Sequence, residues 1–257
     1  MGDYEKFISL INSKLGIDLA LYKEAQMKRR LTSLRSKRRY NDFESYFRAL
    51  DKDDELLKEF VDRITINVSE FYRNPKRWDV LRDTILPMIT KENSSITIWS
   101  AACSTGEEPY TLAMLMKEYF PQVSAKIIAT DIDINALSKA KEGVYNEQAL
   151  KDLPTPLKKK YFTFENMLYK VSPSLKSGII FKQHNLLKDA YPKDVHLIVC
   201  RNVLIYFTDT AKNEIYQNFS KSLHKDGVLF VGSTEQIFNP DRYDFKLLDT
   251  FFYGKQN

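Results

Sequence analysis

An α/β protein with an all-helical N-terminal part and a small inserted antiparallel piece is the architecture that this 257-residue sequence predicts. Three observations predict it. Apolar residues recur at helical spacing over the first ninety positions. From about residue 95, short β-branched runs alternate with helical segments, the grammar of βαβ units and a parallel sheet. That alternation breaks once, over 146–178, where prolines, lysines and aromatic residues cluster.

The helical pattern runs through Phe7, Ile8, Ile11 and Leu15, then Met27, Leu31 and Leu34. It continues in Phe43, Tyr46, Phe47 and Leu50, then Leu56, Leu57, Phe60, Val61 and Ile64. Asp42 and Asp53 stand where N-caps belong. No strong strand signal interrupts, so a small helical bundle is expected, with a domain boundary near 75.

The first strand is ITIWSA (96–101), followed by a turn with Gly106 and a helix over 107–120 that tolerates Pro109 in its first turn. KIIATDI (126–132) is the second strand, and a helix over 134–145 ends near Gly143. The interruption at 146–178 holds Pro154, Pro156, Pro173 and Lys158–Lys160, and reads as an inserted antiparallel piece. GIIFKQHNLL (178–187) and HLIVCRN (196–202) are the third and fourth strands, and a helix follows around 209–224. GVLFVGS (227–233) is the fifth strand, and FKLLDTFFYG (245–254) supplies an antiparallel edge. The α/β domain then covers 76–257.

Composition narrows the function. The chain is 43% hydrophobic and 28% charged, ordinary values for a domain that buries a real core. No run of 18 apolar residues occurs, and the N-terminus is too polar and acidic for a signal peptide. Gly2 follows Met1, but Lys6 breaks the myristoylation pattern. A cytoplasmic protein without direct membrane insertion is expected. Cys103 and Cys200 form no CxxC and read as small buried thiols, and three isolated histidines lack metal-ligand spacing, so no metal is expected. Segment 23–39 carries eight basic residues against one carboxylate, Glu24, while the whole chain nets +5. The rest is therefore acidic on balance, and the basic stretch reads as a docking surface or as a solvated helix face.

Ligands of open α/β sheets bind outside the carboxyl ends of the strands, so each strand exit is a candidate. The first exit, Ala102 to Pro109, has a single glycine, Gly106, followed by Glu107 and Glu108. Two carboxylates would repel a pyrophosphate and suit a cationic ligand, such as an amino group beside a sulfonium. They would equally complement a helix N-terminus. Asp131 closes the second strand, where an acidic residue accepts ribose hydroxyls; Asp131 or Asp133 can also cap the next helix. Asn185, after the third strand, is placed to meet an adenine edge. The fourth exit brings Arg201, Asn202 and Tyr206 to the centre of the sheet, and Phe207 reads as packing. Residues 65–75 are dense in hydrogen-bonding groups at the domain junction, and by themselves read as a linker.

NVSEFYRNPKRW, IWSAACSTGEEPYTLAM, ATDID, HNLL, CRNVLIYF and GVLFVGSTEQIF, in this order, resemble the CheR family of chemotaxis receptor glutamate methyltransferases, in particular Gram-positive, Bacillus-like members. The resemblance spans roughly 1–250. It implies a Rossmann-like S-adenosylmethionine-dependent methyltransferase domain, an all-helical N-terminal domain (1–75) that docks receptors, and a small β-subdomain inserted at 146–178. By motif, Asn67, Ser69 and Arg73 would line the cofactor and substrate pocket, with Ser69 where many members have Thr. Glu108 would hold the methionine amino group and Asp131 the ribose. Asn185 and Leu186 would flank the adenine, Arg201 and Asn202 would complete the wall, and Tyr206 would face the methyl group.

The chemistry so implied needs no general base, because a glutamate carboxylate with a reference pKa of about 4.3 is already a nucleophile at neutral pH. Arg73 and Tyr206 would orient it. Lys28, Arg29, Arg30, Arg35, Arg38 and Arg39 would dock the acidic helical methylation region of a receptor. A monomer is expected. Some family members also dock a receptor's C-terminal peptide through the β-subdomain. A nucleic-acid methyltransferase usually carries an N/D-P-P-Y/F run where this chain reads CRNVLIY, which argues against nucleic acid as partner. A non-catalytic S-adenosylmethionine-binding signalling module is a further alternative, opposed by Arg73 and Tyr206. A dehydrogenase is disfavoured by the single-glycine turn.

Overall fold

The structure, a computed structural model, describes residues 2–256. The chain forms two compact units, one of residues 1–67 with 204–215 and one of residues 68–203 with 216–257.

The first unit is helical: α1 (Asp3–Leu15), α2 (Glu24–Lys37), α3 (Phe43–Leu50) and α4 (Asp54–Thr65). Asp42 and Asp53 cap α3 and α4, accepting the N–H of Ser45 at 2.6 Å and those of Glu55 and Leu56 at 3.0 Å. Each cap satisfies a donor that the first helical turn leaves open, and is worth about 1 kcal/mol. The apolar stripes meet in an aromatic centre, where Phe7 lies 5.9 Å from both Tyr46 and Phe60, ring centroid to ring centroid. The segment 204–215 belongs to this unit through backbone bonds. Lys23 N–H donates to the Tyr206 carbonyl at 2.8 Å and Thr208 N–H to Leu21 at 2.9 Å.

The second unit opens with α5 (Pro75–Val80), a π-helical turn (Leu81–Ile85) and α6 (Leu86–Thr90). Then follow β1 (Ser95–Ala101), α7 (Glu107–Tyr119), β2 (Ser124–Asp131), α8 (Ile134–Glu142) and β3 (Val144–Tyr145). The insertion supplies α9 (Thr155–Tyr161), β4 (Phe162–Glu165), β5 (Leu168–Val171) and α10 (Pro173–Lys176). The chain returns through β6 (Ile179–Gln183), β7 (Val195–Cys200), α11 (Asp209–Ser222), β8 (Leu223–Val231), β9 (Phe245–Asp249) and β10 (Phe252–Lys255).

Seven strands form one sheet in the order β6-β2-β1-β7-β8-β10-β9, and β3-β5-β4 form a small antiparallel sheet. The five strands from β6 to β8 are parallel. Strand order reverses between β1 and β7, the switch point at which open sheets bind ligands. Register aligns the exits: Ala101 pairs with Thr130, Asp131 with Gln183, and Cys200 with Val231. The central strands are buried almost throughout, as a sheet covered on both faces requires. Trp99 is fully buried, and its indole N–H donates to Thr130 Oγ1 at 2.9 Å.

Three predicted strands differ from those observed, the fifth running over Leu223–Val231 and not 227–233. The single edge strand expected over 245–254 is a hairpin, β9 and β10, with β10 paired to β8. Its turn places Phe251 at φ 75 with no glycine, proline or asparagine to mark it. The third strand ends at Gln183, not 187, because the Asn185 side chain accepts the Leu187 N–H at 2.9 Å and folds a turn there.

Candidate functional site

The turn after β1 is built from left-handed residues: Ala102 at φ 64, Ser104 at φ 48 and Gly106 at φ 98. A Cβ on Gly106 would lie 2.9 Å from the Ala140 Cβ, so glycine is required by space as well as by angle. Asp131 stitches this turn to β2. Its two oxygens accept the N–H groups of Ser104 at 2.7 Å and Asp133 at 3.0 Å. Asp133, not Asp131, caps α8 through the N–H groups of Asn135 and Ala136. Burial pushes the Asp131 carboxyl up to about 6, against the opposing pull of those N–H groups.

Glu107 and Glu108 open α7 and face different partners. Glu107 accepts the Thr105 hydroxyl at 2.8 and 2.9 Å and bonds Ser69, and burial raises its pKa. Glu108 accepts the Ser100 hydroxyl at 2.8 Å and lies 4.0 Å from the Arg201 guanidinium. Burial pushes Glu108 up to about 7 even with Arg201 and Ser100 favouring its charge. Among the described residues neither carboxylate has a cation at hydrogen-bond distance, Arg201 being 4.0 Å from Glu108. An ammonium or sulfonium brought beside them would relieve that, so the donor set fits the cationic end of S-adenosylmethionine.

Arg201, after β7, is buried against two rings, 5.3 Å from Trp78 and 4.8 Å from Phe230, which themselves meet edge to face at 5.8 Å. Its Nη2 donates to the Arg73 carbonyl at 2.8 Å and to Asn74 Oδ1 at 3.1 Å, while its buried Nε has no hydrogen-bond partner. Arg73 itself is half-buried, and its Nη1 donates to the Val68 carbonyl at 3.4 Å. Asn202, left-handed at φ 60, donates its N–H to Glu235 at 2.6 Å.

Within this unit the structure therefore links Ser69 to Glu107, Arg73 through Arg201 to Glu108, and Asp131 to the β1 turn. Asn185 and Leu186 leave β6 directly beside Asp131, whose carbonyl accepts the His184 N–H at 2.9 Å. The Asn185 amide oxygen serves its own turn, and the buried Leu186 gives its carbonyl to the Tyr191 hydroxyl at 2.7 Å. Cys103 and Cys200 are free and buried, and burial raises both thiols well above their ordinary range. No group of three or more potential ligands could hold a metal among the described residues.

Two predicted site residues belong to the helical unit. Asn67 donates to Thr65 Oγ1 at 3.1 Å, and the Arg30 guanidinium lies 5.8 Å from the Tyr206 ring. The six basic residues differ in freedom. Lys28 and Arg29 are exposed, Lys28 being 3.8 Å from Glu24. Arg35 packs 4.7 Å from the Phe43 ring, and Arg38 pairs with Glu59 at 2.5 Å. Arg39 is exposed at φ 63 beyond the end of α2.

Glu235 is the residue that pattern reading misses. Buried, it accepts three N–H groups: Asn202 at 2.6 Å, Val203 at 2.7 Å and Gly232 at 2.8 Å. A Cβ on Gly232 would lie 2.4 Å from Glu235 Oε2 and 2.8 Å from the Asn202 nitrogen. The signal available was a glycine closing an apolar strand, with a carboxylate three residues later.

The sequence matches two family profiles. One described as CheR methyltransferase, SAM binding domain covers residues 67–252, and one described as CheR methyltransferase, all-alpha domain covers residues 2–65. A chemotaxis protein methyltransferase of Listeria monocytogenes is 44% identical over 254 residues, 98% of this chain and 97% of that protein. One from Borreliella burgdorferi is 37% identical over 249 residues, 91% of this chain and 88% of that protein. One from Escherichia coli is 31% identical over 249 residues, 93% of this chain and 86% of that protein.

Proposed function

The chain belongs to the CheR family of S-adenosylmethionine-dependent chemotaxis protein methyltransferases, and from that premise we propose that it esterifies specific glutamate side chains on the cytoplasmic methylation region of chemoreceptors. The products are glutamate 5-O-methyl esters and S-adenosylhomocysteine. The observation that carries the reading is Glu108, a half-buried carboxylate at the switch point whose cationic neighbour Arg201 stands 4.0 Å away and bonds the backbone of Arg73.

S-adenosylmethionine, when bound, supplies an electrophilic methyl group on a sulfonium. Glu108 would take its amino group and Asp131 the ribose, with Asn185 and Leu186 beside the base and Ser69, Asn67 and Asn202 along the wall. Arg73 holds one oxygen of the substrate carboxylate and leaves the other free to attack, and Tyr206 orients it. Because the substrate is already ionised at neutral pH, positioning and exclusion of water carry the rate. Arg73→Ala should cut turnover by about 100-fold or more, the scale of lost positioning, with S-adenosylhomocysteine binding retained. Near-normal turnover in that variant removes Arg73 from the mechanism.

Lys28 and Arg29 are exposed cations of α2 that can meet an acidic helical bundle in the cytoplasm. Receptor affinity should fall with ionic strength, and the slope should flatten in a Lys28→Ala, Arg29→Ala double variant. An unchanged salt dependence moves the docking surface elsewhere.

The direct test incubates the protein with methyl-labelled S-adenosylmethionine and a chemoreceptor cytoplasmic fragment, with RNA in parallel. Label on the receptor that mild base releases as methanol is the expected result. Base-stable label on RNA would overturn the reading, and binding without transfer to either would leave only a signalling module.

A further inference from the structure

The segment Tyr72-Arg73-Asn74 has an unusual backbone. Tyr72 at φ 58 and Asn74 at φ 63 are both left-handed, and neither is glycine. For tyrosine this conformation is uphill, so neighbouring contacts must hold it. The holding contacts converge on one atom. The Arg73 carbonyl accepts both the Trp78 indole N–H at 3.0 Å and Arg201 Nη2 at 2.8 Å, and the same Nη2 reaches Asn74 Oδ1 at 3.1 Å. Trp78 is also one of the two rings that Arg201 packs against. Arg201 thus braces the turn by direct bonds and through its packing partner.

The other arm of the same guanidinium, Nη1, lies 4.0 Å from Glu108 Oε2, too long for a hydrogen bond and close enough for an ion pair to tighten. The charge on Glu108 therefore bears on the group that braces Arg73. A buried guanidinium with Nε unpartnered is a costly arrangement for scaffolding alone, since an apolar side chain would pack against Trp78 and Phe230 without that cost.

We propose that Arg201 is a positioning residue that couples the cofactor side of the site to the substrate side: its fork ties Glu108 to the backbone of Tyr72-Arg73-Asn74, so that filling the cofactor site sets the turn carrying Arg73. The coupling rests on the cofactor assignment made above; the bracing of the turn does not. A cation arriving at Glu108 favours its ionised form, which draws on Nη1 while Nη2 stays on the Arg73 carbonyl. Order in the turn then rises with cofactor occupancy, and a substrate glutamate meets a formed Arg73 only after the cofactor is in place. Lysine cannot replace this fork, because a single ammonium lacks two arms in one plane.

Amide hydrogen exchange tests both parts on the intact chain. The reporters are the Phe71, Tyr72 and Arg77 amides, which donate to Ala149 O, Thr111 Oγ1 and Asn74 O. In the ligand-free protein, Arg201→Lys should speed exchange at these amides by about tenfold, with the amides of β1, β2 and β7 unchanged. Equal rates at 71–77 overturn the bracing. In the wild type, S-adenosylhomocysteine should slow exchange at 71–77 several-fold, and in Arg201→Lys the bound ligand should leave it fast. Ligand-dependent protection surviving in Arg201→Lys overturns the coupling. Asn74→Ala, at an exposed position, guards against a variant that fails to fold. It removes one acceptor of the fork and should give the same changes at smaller amplitude; wild-type exchange in that variant counts against the bracing. A wild type that binds no S-adenosylhomocysteine, yet shows the Arg201→Lys effect, retires the cofactor assignment and keeps the bracing role.

Discussion

The two flanks of the switch point solve the same problem with one device and unequal completeness. On the β1–β2 flank, Asp131 closes β2 and catches the N–H of Ser104 in the turn after β1. On the β7–β8 flank, Glu235 follows β8 and catches the N–H groups of Asn202 and Val203 in the turn after β7. Each time a carboxylate beyond the outer strand pins the turn beyond the inner one. The difference lies in what remains. Glu235 accepts three backbone N–H groups at 2.6–2.8 Å, and Asp131 accepts those of Ser104 and Asp133 at 2.7 and 3.0 Å with the Ile132 N–H also favouring its charge. Even with those donors Asp131 is pushed up to about 6 by burial, so its charge calls for further ones. A carboxylate whose charge burial disfavours in spite of its backbone donors is the better candidate for a ligand.

Asp131→Asn is the strongest way to break that comparison. The amide keeps one acceptor for Ser104, turns its NH2 toward the Asp133 N–H and loses the charge that burial already disfavours, so stability should fall by about 1 kcal/mol. Binding should suffer far more. Two hydrogen bonds from a ribose to a charged acceptor are worth about 1.5 kcal/mol each or more, which is on the order of 100-fold in affinity. Calorimetry with S-adenosylhomocysteine and thermal melts separate the two effects. A variant that melts early and binds normally would make Asp131 the scaffold and reverse the assignment.

Glu235→Gln is the mirror experiment. Its amide turns an NH2 group toward backbone N–H groups that need an acceptor, at a cost of about 2 kcal/mol in stability. Ligand affinity should move less than tenfold. Gly232→Ala should mimic it, because the added Cβ occupies the space in which Glu235 Oε2 meets the Asn202 nitrogen. If Glu235→Gln weakened S-adenosylhomocysteine as much as Asp131→Asn does, the two flanks would share one role.

The flanks also differ in how far the sequence exposes them. On the β1–β2 side every partner is near in sequence or at a strand end: Gly106 opens α7, the two glutamates follow it, and Asp131 closes the next strand. Periodicity finds the strands, and the exits then name the residues. On the β7–β8 side, Glu235 works on N–H groups 32 and 33 residues away, and Arg201 on a carbonyl 128 residues away. No local pattern carries such pairings, so Arg201 and Asn202 were visible only as polar residues in an apolar place, and Glu235 not at all. Residues 65–75 read as a linker for the same reason, and only the resemblance to the CheR family gives Ser69 and Arg73 a role. The β9–β10 hairpin was hidden because its turn uses Phe251 in place of a turn residue.

Acidity offers the finest cut between the flanks, because burial pushes two carboxylates up toward neutrality, Glu108 to about 7 and Asp131 to about 6. Burial raises both above their unfolded values, so the ligand-free fold is favoured at low pH. That contribution fades as pH climbs through 6 and 7. Melting temperature should therefore fall between pH 5.5 and 7.5. A cationic ligand needs the ionised forms, so its binding should release protons and tighten over the same range. With Glu108 at about 7, the gain from pH 6 to 7.5 should be about tenfold, levelling off above pH 8 as the ligand's own amino group begins to titrate. Calorimetry in buffers of different ionisation enthalpy counts the protons directly. Glu108→Gln should flatten both profiles by removing the group with the higher value, leaving only the smaller slope from Asp131. Affinity independent of pH in the wild type would mean that Glu108 stays neutral with ligand bound, and the amino group would then need another partner.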